Sequence, residues 1–177
     1  MNDWRAQLNR LAVEFWCGVG DLAELAPWAD AANAEMGEVH PEVWDLYIVW
    51  SMENAKELLL KIAKDVNGFK PTTWDAAPFA AAALKKALEL FLAQKMSVQT
   101  LCQLVDLLDA TFVIGLPLAS QSEENPSKFS SQKTSWLGNL YNCCDWCDAS
   151  WTMDNSPHLV AEAQRVLGVL ANGAFSR

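Results

Sequence analysis

The spacing of apolar residues constrains this chain most. They recur every three to four positions almost throughout, and no segment alternates with period two around β-branched residues. The first pattern marks amphipathic helices; half-buried strands need the second. Trp4, Leu8, Leu11 and Phe15 outline a first helix stopped by Gly18 and Gly20. Asp21 to about Met36 forms a second helical stretch, interrupted or restarted at Pro27 and closed by Gly37. Pro41 to about Val66 reads as the longest helix, with the stripe Trp44, Tyr47, Ile48, Met52, Ala55, Leu58, Leu59, Ile62 and Val66, and Asn67-Gly68 as its stop.

The second half continues in the same way. Thr73 to Lys95 opens on cap-like Thr and Asp with Pro78 in its first turn, and its alanines suit close helix packing. Ser97 caps a helix striped by Leu101, Leu104, Val105, Leu108 and Phe112, ending at Gly115 or Pro117. Residues 118–134, rich in Ser, Gln, Asn and Pro, are expected to be a polar loop. Trp136, Leu137, Leu140, Tyr141, Cys144 and Trp151 share a helical face, and Ser156-Pro157 begins the last helix, which Asn172-Gly173 closes. The expected fold is all-α: a compact bundle of six or seven helices without a sheet, in one domain spanning residues 1–177. A chain of this length buries about 70% of the surface its unfolded form exposes, so it needs neither disulfide nor metal to hold a core.

Charge narrows the function classes. The formal net charge is −9, which argues against nucleic acid or an anionic membrane as partner. Its distribution is uneven: residues 1–60 hold eleven acids and three bases, whereas the remaining 117 residues hold eleven and ten. Residues 11–55 contain Glu14, Asp21, Glu24, Asp30, Glu35, Glu38, Glu42, Asp45 and Glu53 with no Lys or Arg. A face of one sign repels itself and costs stability. It serves either solubility or the steering of a basic protein partner. Nine tryptophans sharpen the question, because Trp is favoured both in cores and at interface hot spots. Trp4, Trp16, Trp44, Trp136 and Trp151 lie on core stripes. Trp50 lies off the main stripe, and Trp28 falls among Asp21, Glu24 and Glu35 if one helix runs through Pro27. Burial of the long helix on two sides would also account for Trp50.

No segment names a reaction. Cys144-Asp-Trp-Cys147 has CxxC spacing, but no βα context supports a thioredoxin-like role, and Cys143 and His158 are the only nearby residues to complete a zinc site. Small core thiols are the plainer reading of Cys143, Cys144 and Cys147. Glu35-Met-Gly-Glu38-Val-His40-Pro-Glu42 gathers carboxylates around a histidine, yet it crosses a Gly/Pro turn and has no fixed ligand pattern, so it reads as a solvated acidic turn. Gly18-Val-Gly20 follows a helix where a dinucleotide fingerprint needs a strand. Asp106 and Asp109, one turn apart, read as a solvated face. No cofactor or metal is expected. Charged residues break the amphipathic first helix, and no apolar run reaches the roughly 20 residues of a membrane span. With five cysteines and no secreted disulfide framework, a reducing cytoplasm is the expected compartment.

In this acidic, Trp-rich, all-helical character, and in the segment Trp136-Leu-Gly-Asn-Leu-Tyr-Asn-Cys-Cys-Asp-Trp146, the chain resembles the small helical immunity proteins that accompany bacterial secreted toxins. The resemblance implies neutralisation by tight, stoichiometric binding of a cognate toxin, and it transfers no residue role. Independently of it, Asp21, Glu24, Glu35, Glu38, Glu42 and Asp45, with Trp28 or Trp50 as anchor, are the expected contact face for a basic toxin surface. The rival expectations are a helical enzyme or ligand-binding domain with a Trp/Cys-lined pocket, and an adaptor mimicking DNA charge.

Overall fold

The computed structural model describes residues 4–35, 40–70, 76–111, 140, 143–144 and 147–171, with side chains as far as 108 in the third span. Of these residues 77% are helical and none is in a strand, so the fold is all-α. The polar stretch 118–134, Glu38, Phe112, Trp136, Leu137, Tyr141 and the caps Thr73 and Asp75 lie outside the described residues.

Helix α1 (Trp4–Trp16) buries Trp4, Leu8, Leu11, Ala12, Val13, Glu14 and Phe15, a stripe of helical spacing. Its end is a Schellman cap: Val19 N–H donates to Glu14 O (2.9 Å) and Gly18 N–H to Phe15 O (3.1 Å). Gly18 supplies the positive φ of 71° that this cap requires. Gly20 is small for a steric reason, since a Cβ there would stand 2.3 Å from the Phe15 ring. Asp21 then caps a 3-10 turn (Leu22–Glu24) by accepting from Ala23 N–H at 2.9 Å, and α2 (Leu25–Glu35) follows directly. Pro27 occupies the first turn of α2, where no intrahelical N–H bond is lost, so it does not interrupt the helix.

The expected helix from Pro41 to Val66 is two elements. Pro41–Tyr47 is a 3-10 helix. Residues 48–51 break it, and α3 (Met52–Asn67) starts at Ser51, whose Oγ accepts from Asn54 N–H at 3.3 Å. The 3-10 segment turns every three residues rather than 3.6, so the apolar stripe loses its phase. Val43 and Leu46 are buried, whereas Trp44, Tyr47 and Ile48 point outward, which corrects their expected place in the core. Within α3 the stripe holds, with Ala55, Leu59, Ile62 and Ala63 buried. Gly68 ends the helix at φ 62°, as Asn67-Gly68 implies.

Helix α4 (Ala77–Leu92) buries eight side chains, five of them alanine, and it packs against α1, α5 (Val98–Thr111) and α6 (Pro157–Ala171). Ala80, Ala83 and Ala87, all fully buried, offer neighbouring backbones little side-chain bulk. Ser97 caps α5 by accepting from Thr100 N–H at 3.1 Å. Gln99 on α5 donates to the carbonyls of Asp148 (3.0 Å) and Trp151 (2.9 Å), tying down the approach to α6. α1 packs most extensively on α3. The buried residues form one connected cluster running from Trp4 to Val166. No helix among the described residues is long and apolar enough to cross a membrane.

Candidate partner-binding face

The break between the 3-10 segment and α3 gathers the large exposed apolar side chains found among the described residues. Trp44 is 57% exposed, Tyr47 38%, Ile48 76% and Trp50 80%. Scattered apolar residues are normal on a protein surface, but four large ones within seven positions make this a candidate interaction site. Trp44 and Tyr47 stack with centroids 5.9 Å apart and planes 29° from parallel. The Tyr47 hydroxyl donates to Asp30 Oδ1 (2.6 Å) and accepts from Asn33 Nδ2 (3.0 Å), which docks this segment on α2. The bond to Asp30 holds the phenol pKa above its usual value. Ile48 and Trp50 border an open depression of about 500 Å³ whose other walls include Asp45, Glu57, Leu58 and Lys61.

Charge on this face depends on what the fold has neutralised. Nine acids without a base is a statement about sequence neighbours; in three dimensions, bases from outside residues 11–55 fold onto several of them. Glu14, only 4% exposed, accepts from Arg10 and from Lys86, each at 2.8 Å. Glu24 pairs with Arg10 at 2.6 Å and lies 3.7 Å from Lys86. Glu53 pairs with Lys56 at 2.6 Å, and Glu42 with Lys61. Asp45 and Glu57 have no ion pair among the described residues, and both line the depression beside Trp50.

The expected contact residues therefore separate. Glu42, Asp45 and Trp50 meet at one depression. Asp21 is exposed but serves as a cap, and Glu24 belongs to the charge network between α1 and α4. Glu35 is exposed at the end of α2, and Glu38 is outside the described residues. Trp28 is corrected outright as an anchor: it is 3% exposed, its ring packs 6.4 Å from that of Trp4, and its Nε1–H donates to Trp4 O at 2.9 Å. Two-sided burial does not apply to Trp50, which is not helical. The residues overlooked are Trp44, Tyr47 and Ile48. Ser51, a good N-cap with Glu53 in the following turn, is the sequence signal that separates them from α3.

The cysteines lie elsewhere. All five described thiols are free. Cys102 on α5 meets Cys144 and Cys147; its hydrogen bond with Cys144, then burial, pushes its pKa well up. Burial and contact with Cys102 push Cys147 up to about 12. Thiols held protonated in this way are poor nucleophiles. His158 packs edge-on against Trp151, with centroids 5.2 Å apart.

No protein-family model matches the chain, and neither a curated protein nor a solved structure is significantly similar to it.

Proposed function

We propose that this chain is an immunity-type inhibitor that acts in the cytoplasm by capturing a basic toxin protein on the face formed by Trp44, Ile48 and Trp50 with Asp45 and Glu57. The observation that carries this reading is the juxtaposition of two largely exposed tryptophans with carboxylates that have no ion pair among the described residues. Trp supplies a large, rigid contact area, and interface hot spots are enriched in it. Unneutralised acids beside it steer a basic partner and reject an acidic one. Free, protonated thiols suit a reducing compartment. The rival pocket lined by Trp and Cys would be a different place, since no cysteine lines the open depression beside Trp50.

The test uses the product of a toxin-like reading frame, should one adjoin this chain's own, co-expressed and co-purified with this chain. In titration calorimetry, Trp50→Ala is expected to weaken the complex by about 2 kcal/mol, roughly 30-fold. Asp45→Lys with Glu57→Lys should slow association and flatten its dependence on salt. Stability should change by less than about 0.5 kcal/mol in each case, since the side chains are exposed. Full binding by both variants would overturn the docking face, and failure to protect cells from that product would overturn the immunity role.

A further inference from the structure

We infer that His40, Glu42 and Asp65 form a binding site for a divalent transition-metal ion of the zinc class. The three residues span 26 positions with no motif spacing, and the fold alone assembles them. Pro41, at the first position of the 3-10 segment, leaves His40 extended just before it and Glu42 in its first turn. Asp65 comes from the last turn of α3, at the end of the helix whose carbonyl dipoles favour a cation.

The geometry suits shared coordination. His40 Nδ1 lies 3.3 Å from Glu42 Oε2, and His40 Nε2 lies 3.4 Å from Asp65 Oδ2. One ligand atom from each residue falls within 4.8 Å of the others. Bonds of about 2.0–2.2 Å at tetrahedral or octahedral angles place neighbouring ligand atoms roughly 2.9–3.5 Å apart, a spacing the Nδ1–Oε2 pair meets, while Asp65 faces the other ring nitrogen. Glu42 accepts from Lys61 through Oε1, which anchors the carboxylate and leaves Oε2 facing the imidazole.

A second observation concerns the atoms themselves. His40 Nδ1 and Glu42 Oε2 are both closed to solvent, and neither has a hydrogen-bond partner. Their 3.3 Å contact is too bent to be a hydrogen bond. Two ligands of one ion require such a bend, because their lone pairs converge on a third point rather than on each other. Asp65, opposite Nε2, is placed to accept from Nε2–H and so direct the Nδ1 lone pair towards the ion, as carboxylates commonly do for metal-bound histidines. The Nδ1 imidazole nitrogen and the Glu42 carboxylate, backed by Asp65, form a donor set for Zn²⁺, Co²⁺ or Mn²⁺. Two negative charges balance the ion, and Lys61, whose side chain is largely exposed, is free to swing away. A bound ion would staple the start of the 3-10 segment to the end of α3. Metal binding there needs no partner protein.

The experiment takes the whole chain stripped of metal with a chelator and dialysed, then titrates Zn²⁺ by calorimetry and Co²⁺ by visible absorption. Wild type is expected to bind one ion per chain, with a Co²⁺ spectrum free of thiolate charge-transfer bands. His40→Gln and Asp65→Asn should each weaken binding at least tenfold while circular dichroism of the metal-free protein stays unchanged. His158→Gln should bind as wild type does. Absence of saturable binding overturns the inference. Binding that survives both substitutions, or a thiolate band pointing to Cys102 and Cys144, overturns it equally.

Discussion

Replacing Lys86 by methionine tests the charge network that joins α1 to α4. Methionine keeps the length and apolar stem of the lysine and removes only its ammonium group. Glu14 is almost fully buried and divides its two oxygens between Lys86 and Arg10, each at 2.8 Å. Removing the only partner of a buried charge costs about 3–5 kcal/mol. Here Arg10 remains, but it also serves Glu24 at 2.6 Å, so it compensates only in part. The expected loss is therefore about 2–3 kcal/mol. For a chain of this length that corresponds to a fall in Tm of roughly 4–12 °C. Urea unfolding followed by tryptophan fluorescence measures it directly. The double-mutant cycle with Glu14→Gln should show a coupling of at least about 1 kcal/mol, since a neutral amide in place of the carboxylate no longer needs the ammonium. Salt should change the loss little, because a buried pair is weakly screened. A loss below about 0.5 kcal/mol, or a strictly additive double variant, would refute the claim that Lys86 neutralises a buried carboxylate.

Trp28→Phe should destabilise the protein by about 2–3 kcal/mol in thermal unfolding, because the indole's buried hydrogen bond to the Trp4 carbonyl is lost and the smaller ring leaves space. Retention of wild-type Tm would refute the buried placement. Burial, then Glu14, pushes the Cys17 thiol from 9.0 up to about 12. The folded value lies above the unfolded one, so Cys17's contribution to stability is fully present below pH about 9 and is lost as pH rises towards 12. A thiol reagent at pH about 8 should accordingly label Cys17 only after unfolding, and rapid labelling of the native chain would contradict that.

How far the sequence could be read depended on whether a property is local. Helix α1 and the α3 stripe Ala55, Leu59, Ile62 were legible from apolar spacing, and Gly18 and Gly68 from the left-handed caps they permit. Spacing does not distinguish an α-helix from a 3-10 helix over seven residues, because three-residue and four-residue steps both occur in a helical stripe. Spacing therefore assigns Trp44, Tyr47 and Ile48 to the core, although Val43 and Leu46 fill it. The charge run misled for a different reason. Lys86 reaches Glu14 across 72 positions, so a base-free stretch of sequence is not a base-free surface. Of the expected docking acids, Glu42 and Asp45 reached the depression because they share a turn with the break, whereas Glu24 was drawn off by Arg10.

The shortness of the 3-10 segment carries a thermodynamic consequence. It buries only Val43 and Leu46 out of seven residues, and three-residue bonds have poorer geometry than those of an α-helix. A stretch with so few buried side chains opens locally at a lower free energy than α4, which buries eight. Trp44 rides on this stretch, with Ile48 and Trp50 just beyond it. Any protein gripping them would hold a segment that opens locally at low free energy, and part of the contact energy would go into that ordering. Pre-ordering the segment would therefore tighten association without adding a single contact.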